Sequence, residues 1–165
     1  MKKPNSVSIK HAPERNMPLA ALIPGVLGLI PFWGLAIVMG HDVGVDPITA
    51  LLGLLAYGAV ILSFVGALWW GIAAPMPNSP QRNALFLWSI FPALIGWLAM
   101  LVVPDLGLVL LMSGLALQWV LDFMLHKKRP DLIKPWMLRL RTLLTIGACT
   151  ALVYAWQQLR QHGLG

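Results

Sequence analysis

The stretch LGLVLLMSGLALQWVLDFMLHKKR, Leu106 to Arg129, decides how the chain is read. Its first twenty residues, Leu106 to Leu125, match the roughly 20 mainly apolar residues a helix needs to cross bilayer hydrocarbon. Four polar residues follow at once, and three of them, Lys127, Lys128 and Arg129, are fixed cations. Gln118 and Asp122 stand four apart, so a helix sets both on one face. Asp122 is the only acid or base inside any apolar run of the chain.

Outward from this stretch, four more apolar runs appear: Leu19 to Met39, Ile48 to Ala74, Ala84 to Val103 and Thr142 to Gln158. They predict an all-α fold, a polytopic membrane bundle of about five transmembrane helices. Residues 19–158 form one transmembrane domain, residues 1–18 a polar basic tail and residues 159–165 a short outer tail. Composition agrees. Only 11% of the 165 residues are charged, against about 25% in a soluble domain, so no separate soluble domain fits. The net charge of +6 comes from cations flanking apolar runs, a pattern that suits lipid headgroups and not nucleic acid.

Counting loops orients the bundle. Of twelve Lys and Arg residues, only Arg160 falls on the second side. Positive charge stays inside, so the reading places the N-terminus inside, the C-terminus outside, and the chain in a bacterial cytoplasmic (inner) membrane. The first run exceeds the 7–15 residues of a cleavable signal, and no A-x-A-like site follows it, so an uncleaved anchor is expected.

Within the runs, Pro24, Pro31 and Pro92 predict kinks, with Ser89 placed to relieve the last. Ala59, Ser63 and Ala67, with Gly58 and Gly66, predict close helix approach. Trp69 and Trp70 are expected at the headgroup boundary. The two-residue link Pro104–Asp105 demands an antiparallel hairpin. His126 to Arg141 reads as a basic loop, partly lying flat through Leu132, Trp136 and Leu140.

Two readings compete for Asp122. In one it makes a structural ion pair with Arg139 or Arg141. In the other, Gln118 and Asp122 form a polar intramembrane site for a small solute or a proton, because a carboxylate at membrane depth is costly and rarely idle. Lys127, Lys128, Arg129, Lys134 and Trp136 are candidate contacts for anionic lipid headgroups, or a pure topology signal. No G-x-S-x-G, H-E-x-x-H, cysteine pair or phosphate-binding glycine loop is present, and Cys149 stands alone. No enzyme activity, catalytic residue, cofactor or metal is therefore expected. His41, Asp42 and Asp46 share a loop without ligand spacing, and His11, His41, His126 and His162 all lie outside the apolar runs.

Four segments carry a resemblance: AYGAVILSFVGALWWG (Ala56 to Gly71), FPALIGWLAML (Phe91 to Leu101), GLALQWVLD (Gly114 to Asp122) and KPWMLRLRTLLT (Lys134 to Thr145). Together they resemble a domain-of-unknown-function family of small bacterial and mitochondrial membrane proteins that includes transmembrane protein 69. The likeness runs from about Leu19 to Trp156. It implies about five membrane helices and no established activity. The family's pattern commonly has a histidine before the Trp-Gly pair that ends the second helix. Trp69 stands there in this chain, so a site built on that histidine is absent.

The functional expectation is an integral inner-membrane protein acting as a non-enzymatic accessory or assembly component. The alternative is a small-solute or proton-linked transporter working through Gln118 and Asp122. Expected partners are membrane lipids with anionic headgroups and other membrane proteins, not nucleic acid.

Overall fold

The computed structural model describes residues 17–41 and 44–161. The expected tails fall largely outside that range, as does Asp42. The described residues are helical, with short links. In order they are α1 (Leu19–Leu27), α2 (Ile30–Met39), α3 (Pro47–Ala73), α4 (Pro80–Trp88), α5 (Phe91–Leu101), α6 (Pro104–Lys128) and α7 (Pro135–Gln161). Two broken pairs each act as one span. Among the described residues, five stretches are long and apolar enough to cross a membrane: Leu19–Met39, Pro47–Ala73, Pro80–Leu101, Pro104–Lys128 and Pro135–Gln161.

The breaks lie where proline removes a donor. Pro31 cannot bond the carbonyl four residues back, and the helix parts at residues 28–29. There the Tyr57 hydroxyl of α3 donates to the Gly28 carbonyl at 2.9 Å. Pro92 parts α4 from α5 in the same way, and the Ser89 hydroxyl donates to the Phe86 carbonyl at 2.6 Å. Starts are equally local. Asp46 caps α3 by accepting from the Thr49 amide at 2.9 Å, and Ser79 caps α4 by accepting from the Arg82 amide.

α3 packs against α2, α5 and α6, and α7 closes the bundle against α6 and α2. Of the small residues, Ala59 and Gly66 set the α3–α5 distance, while Gly58 faces Leu111 of α6 and Ala67 is exposed. A Cβ on Gly96 would lie 2.9 Å from the Ala59 carbonyl oxygen, and one on Gly66 would lie 2.6 Å from the Pro92 ring. Such contact supplies the dispersion energy that holds membrane helices, since hydrocarbon offers no hydrophobic drive. The outer surface is correspondingly apolar, with Phe64, Trp97 and Ile146 about 60% exposed.

One boundary differs from the sequence reading. Residues 135–141 are not part of a basic loop but the first two turns of α7. Pro135 suits the first helical position, where no N–H is needed, and the linker shrinks to residues 129–134. Arg139 and Arg141 therefore ride on a membrane span.

The links sort into two ends. At one, Arg129 donates to the Gln81 side chain at 3.2 Å, joining the α6–α7 linker to the start of α4. Arg82, Lys127, Lys128 and Lys134 belong to this basic end. At the other, Arg160 meets Asp105 at 3.4 Å.

Candidate functional site, a buried carboxylate in the bundle

Asp122 and Gln118 sit on the α6 face turned inward, 4% and 1% exposed. An ionised carboxylate there must find a countercharge and enough donors, or its desolvation is uncompensated. Both needs are met from three helices. Arg141 of α7 places Nη2 at 2.7 Å and Nε at 2.8 Å from Oδ2. Trp69 of α3 donates its indole Nε1–H to Oδ1 at 2.6 Å. Gln118, one turn back on α6, donates Nε2–H to the same Oδ1 at 3.2 Å.

A further donor orients the first ones. Trp88 of α4 donates Nε1–H to Gln118 Oε1 at 2.9 Å, which fixes which way the amide points. Trp88–H to Gln118 and Gln118–H to Asp122 thus run in one direction, each bond polarising the next. The rings of Trp69 and Trp88 lie 6.2 Å apart, and an apolar cluster of Ala73, Leu85, Leu125 and Ile133 surrounds this end of the bundle. Beside it, Trp119 donates to the Thr142 hydroxyl at 2.9 Å, a second α6–α7 tie.

Of the two arginines that sequence offered as partners, only Arg141 is used. Arg139 is exposed, because two residues along a helix turn a side chain to the opposite flank. Trp69 also corrects its expectation. It is 8% exposed and faces inward, while its neighbour Trp70, at 54%, takes the outer position and meets Phe86 edge-on. The position where the resemblance implied a histidine carries an indole N–H bonded to the buried acid. Trp69 and Trp88 went unread as site residues. The available signal was chemical: an acid in an apolar run needs buried donors, and tryptophan is among the few apolar-run residues that supply one.

The basic-end residues are dispersed. Lys127 lies over the Phe123 ring at 5.0 Å, and Arg129 grips Asp131 with both Nε and Nη2. That hydrogen-bonded guanidinium holds the Asp131 carboxyl below the usual carboxylate range. Lys128 and Lys134 are exposed, and Trp136 is half-buried at the start of α7. Among the described residues no three His, Cys, Asp or Glu side chains gather as a metal site.

Fold and site together define a class: a multi-pass helical membrane protein locked near one end by a buried carboxylate–guanidinium pair. Within that class the chain belongs to the family described as Protein of unknown function (DUF3429), whose profile matches residues 17–157. It is 36% identical over 146 residues to "Transmembrane protein 69" of Xenopus tropicalis, a match covering 84% of this chain and 54% of that protein. The chain thus spans about half the length of that relative. No solved structure matches it.

Proposed function

We propose that the chain is a non-enzymatic accessory or assembly component of a larger membrane complex, resident in a bacterial inner membrane with its N-terminus inside. One observation carries this reading. Trp69 and Gln118 donate to one oxygen of Asp122 and Arg141 to the other, so among the described residues the buried carboxylate ties α3, α6 and α7 together. That is the arrangement of a clamp, and it favours a scaffold presenting apolar faces to neighbours. Lys127, Lys128, Arg129, Lys134 and Trp136 then serve as contacts for anionic headgroups at the inner surface.

Tagged full-length chain, extracted in mild detergent, is expected to bring stoichiometric membrane proteins with it. Recovery of a bare monomer or homo-oligomer overturns the reading.

The second reading, a proton-linked or small-solute transporter, draws on the Trp88–Gln118–Asp122 relay, which places a titratable group at depth. In proteoliposomes it requires a pH-driven flux that Asp122→Asn abolishes. Unchanged flux in that variant removes Asp122 as the coupling group.

A further inference from the structure

The break at residues 28–29 leaves α1 leaning on α7, with little contact to α3. Between these three helices runs a groove of about 460 Å³. That lies within the roughly 300–1,000 Å³ of sites that hold small molecules. Pro24 and Gly25 form its α1 wall, Phe64 and Leu68 its α3 wall, Leu144 and Ala148 its α7 wall. The walls are almost wholly apolar.

Its guanidinium and indole N–H groups lie toward the basic end, with the Thr145 hydroxyl one turn deeper. Trp136 and Arg141 both line the groove. The Trp136 indole nitrogen is buried and has no acceptor among the described residues. A buried donor left unpaired costs free energy, so its presence points to a missing acceptor. Arg141 spends Nε and Nη2 on Asp122. A guanidinium carries five N–H donors, more than these two contacts use. α7 also begins at this end, with the positive end of a long helix dipole. The local acids are already engaged: Asp122 by Arg141, and Asp131 by Arg129.

Depth identifies the occupant. From Trp136 to Ala148 a helix rises about 18 Å, at about 1.5 Å per residue. Half of a hydrocarbon core about 30 Å thick is about 15 Å. The groove thus runs from the headgroup boundary to about the bilayer midplane, the reach of one lipid tail.

We infer that this groove seats one acyl tail of an anionic phospholipid from the surrounding leaflet, its phosphate held by Trp136 and Arg141. The guanidinium of Arg141 then serves the buried clamp and the lipid headgroup at once. The site deepens the headgroup-contact reading through the shared Trp136, lies apart from the surface lysines, and does not depend on the assembly role.

Native mass spectrometry of the full chain, released from mild detergent after incubation with dioleoyl phosphatidylglycerol or dioleoyl phosphatidylcholine, tests it. One phosphatidylglycerol per chain is expected to survive, at least about fivefold more than phosphatidylcholine, because the donors select an anion. Val65→Trp and Thr145→Trp fill the groove and are expected to abolish retention. Trp136→Phe keeps the ring and removes the N–H, and is expected to lower retention about fivefold, the weight of one hydrogen bond. Lys127→Gln with Lys128→Gln is expected to leave it unchanged. Equal retention of the two lipids, unchanged retention in Trp136→Phe, retention in folded groove-filled variants, loss in the lysine variant, or a lipid-free dimer overturns the proposal.

Discussion

Arg141 directs two nitrogens, Nε at 2.8 Å and Nη2 at 2.7 Å, to a single oxygen of Asp122 and leaves the other oxygen to Trp69 and Gln118. The division matters because each oxygen is satisfied by a different helix. α7 neutralises the charge, α3 completes the hydrogen bonding, and α6 carries the acid between them. Losing the Trp69 donor therefore loosens α3 from α6, and losing Arg141 loosens α7 from α6.

The first expectation concerns the pair itself. Arg141→Met strands a charge that is almost entirely buried, and removing one partner of such a pair costs about 3–5 kcal/mol. Asp122→Leu combined with Arg141→Met removes both charges and is expected to cost less than Arg141→Met alone. A double-mutant cycle on thermal unfolding in detergent measures this. Strict additivity would show that the two side chains do not share the clamp.

Trp69 and Trp70 offer a neighbouring-residue control. Trp69→Phe deletes the N–H that Asp122 Oδ1 accepts, at about 1–3 kcal/mol for a buried group left unpaired. Trp70→Phe, on the outer surface, is expected within about 0.5 kcal/mol of the parent. Trp69→His restores a donor and is expected to recover part of the loss. Equal melting shifts for Trp69→Phe and Trp70→Phe would contradict the inward position of Trp69.

Close approach of α3 and α5 makes Gly96 sensitive. A Cβ there meets the Ala59 backbone, which cannot yield as a side-chain tip can. Gly96→Val is expected to destabilise by about 1–3 kcal/mol through overpacking. Gly34 has nothing within 4 Å of its Cβ position, so Gly34→Ala is expected to be tolerated. Melting temperatures of the two variants decide it.

Orientation is tested by reporter fusions. A periplasm-active reporter placed after Gly165 is expected to be active, and one placed after Arg129 silent. The opposite pattern reverses the bundle in the membrane.

The linker ion pair gives a pH signature. Arg129 depresses the Asp131 carboxyl, so the pair's contribution is present above the ordinary carboxylate range and fades as pH falls through the lowered value. Carbon NMR of Asp131 is expected to titrate low, and Arg129→Gln to move it up toward the ordinary range. Both groups face water, so the effect on stability is expected to be slight.

The sequence carried the spans and the breaks before Pro31 and Pro92 because these are local matters, whereas Pro24, also expected to kink its helix, lies inside an unbroken α1. Twenty apolar residues must bond their own backbone in hydrocarbon, and a proline removes its N–H wherever the chain lies. The same holds for Gln118 beside Asp122, since a spacing of four fixes a shared face. Periodicity also left Arg139 and Arg141 as rivals, and it took Trp69 for a boundary residue because it ends a span.

What the sequence alone determined, then, is a membrane-spanning helical chain with one acid at depth and its cations gathered mostly on one side. Which arginine meets that acid, which of two adjacent tryptophans turns inward, and where α1 parts from α3 to open a groove were decided only by tertiary structure. The reason is rotational: helix propensity and hydropathy set where a helix lies along the chain, but its turn about its own axis follows from packing against neighbours far away in sequence.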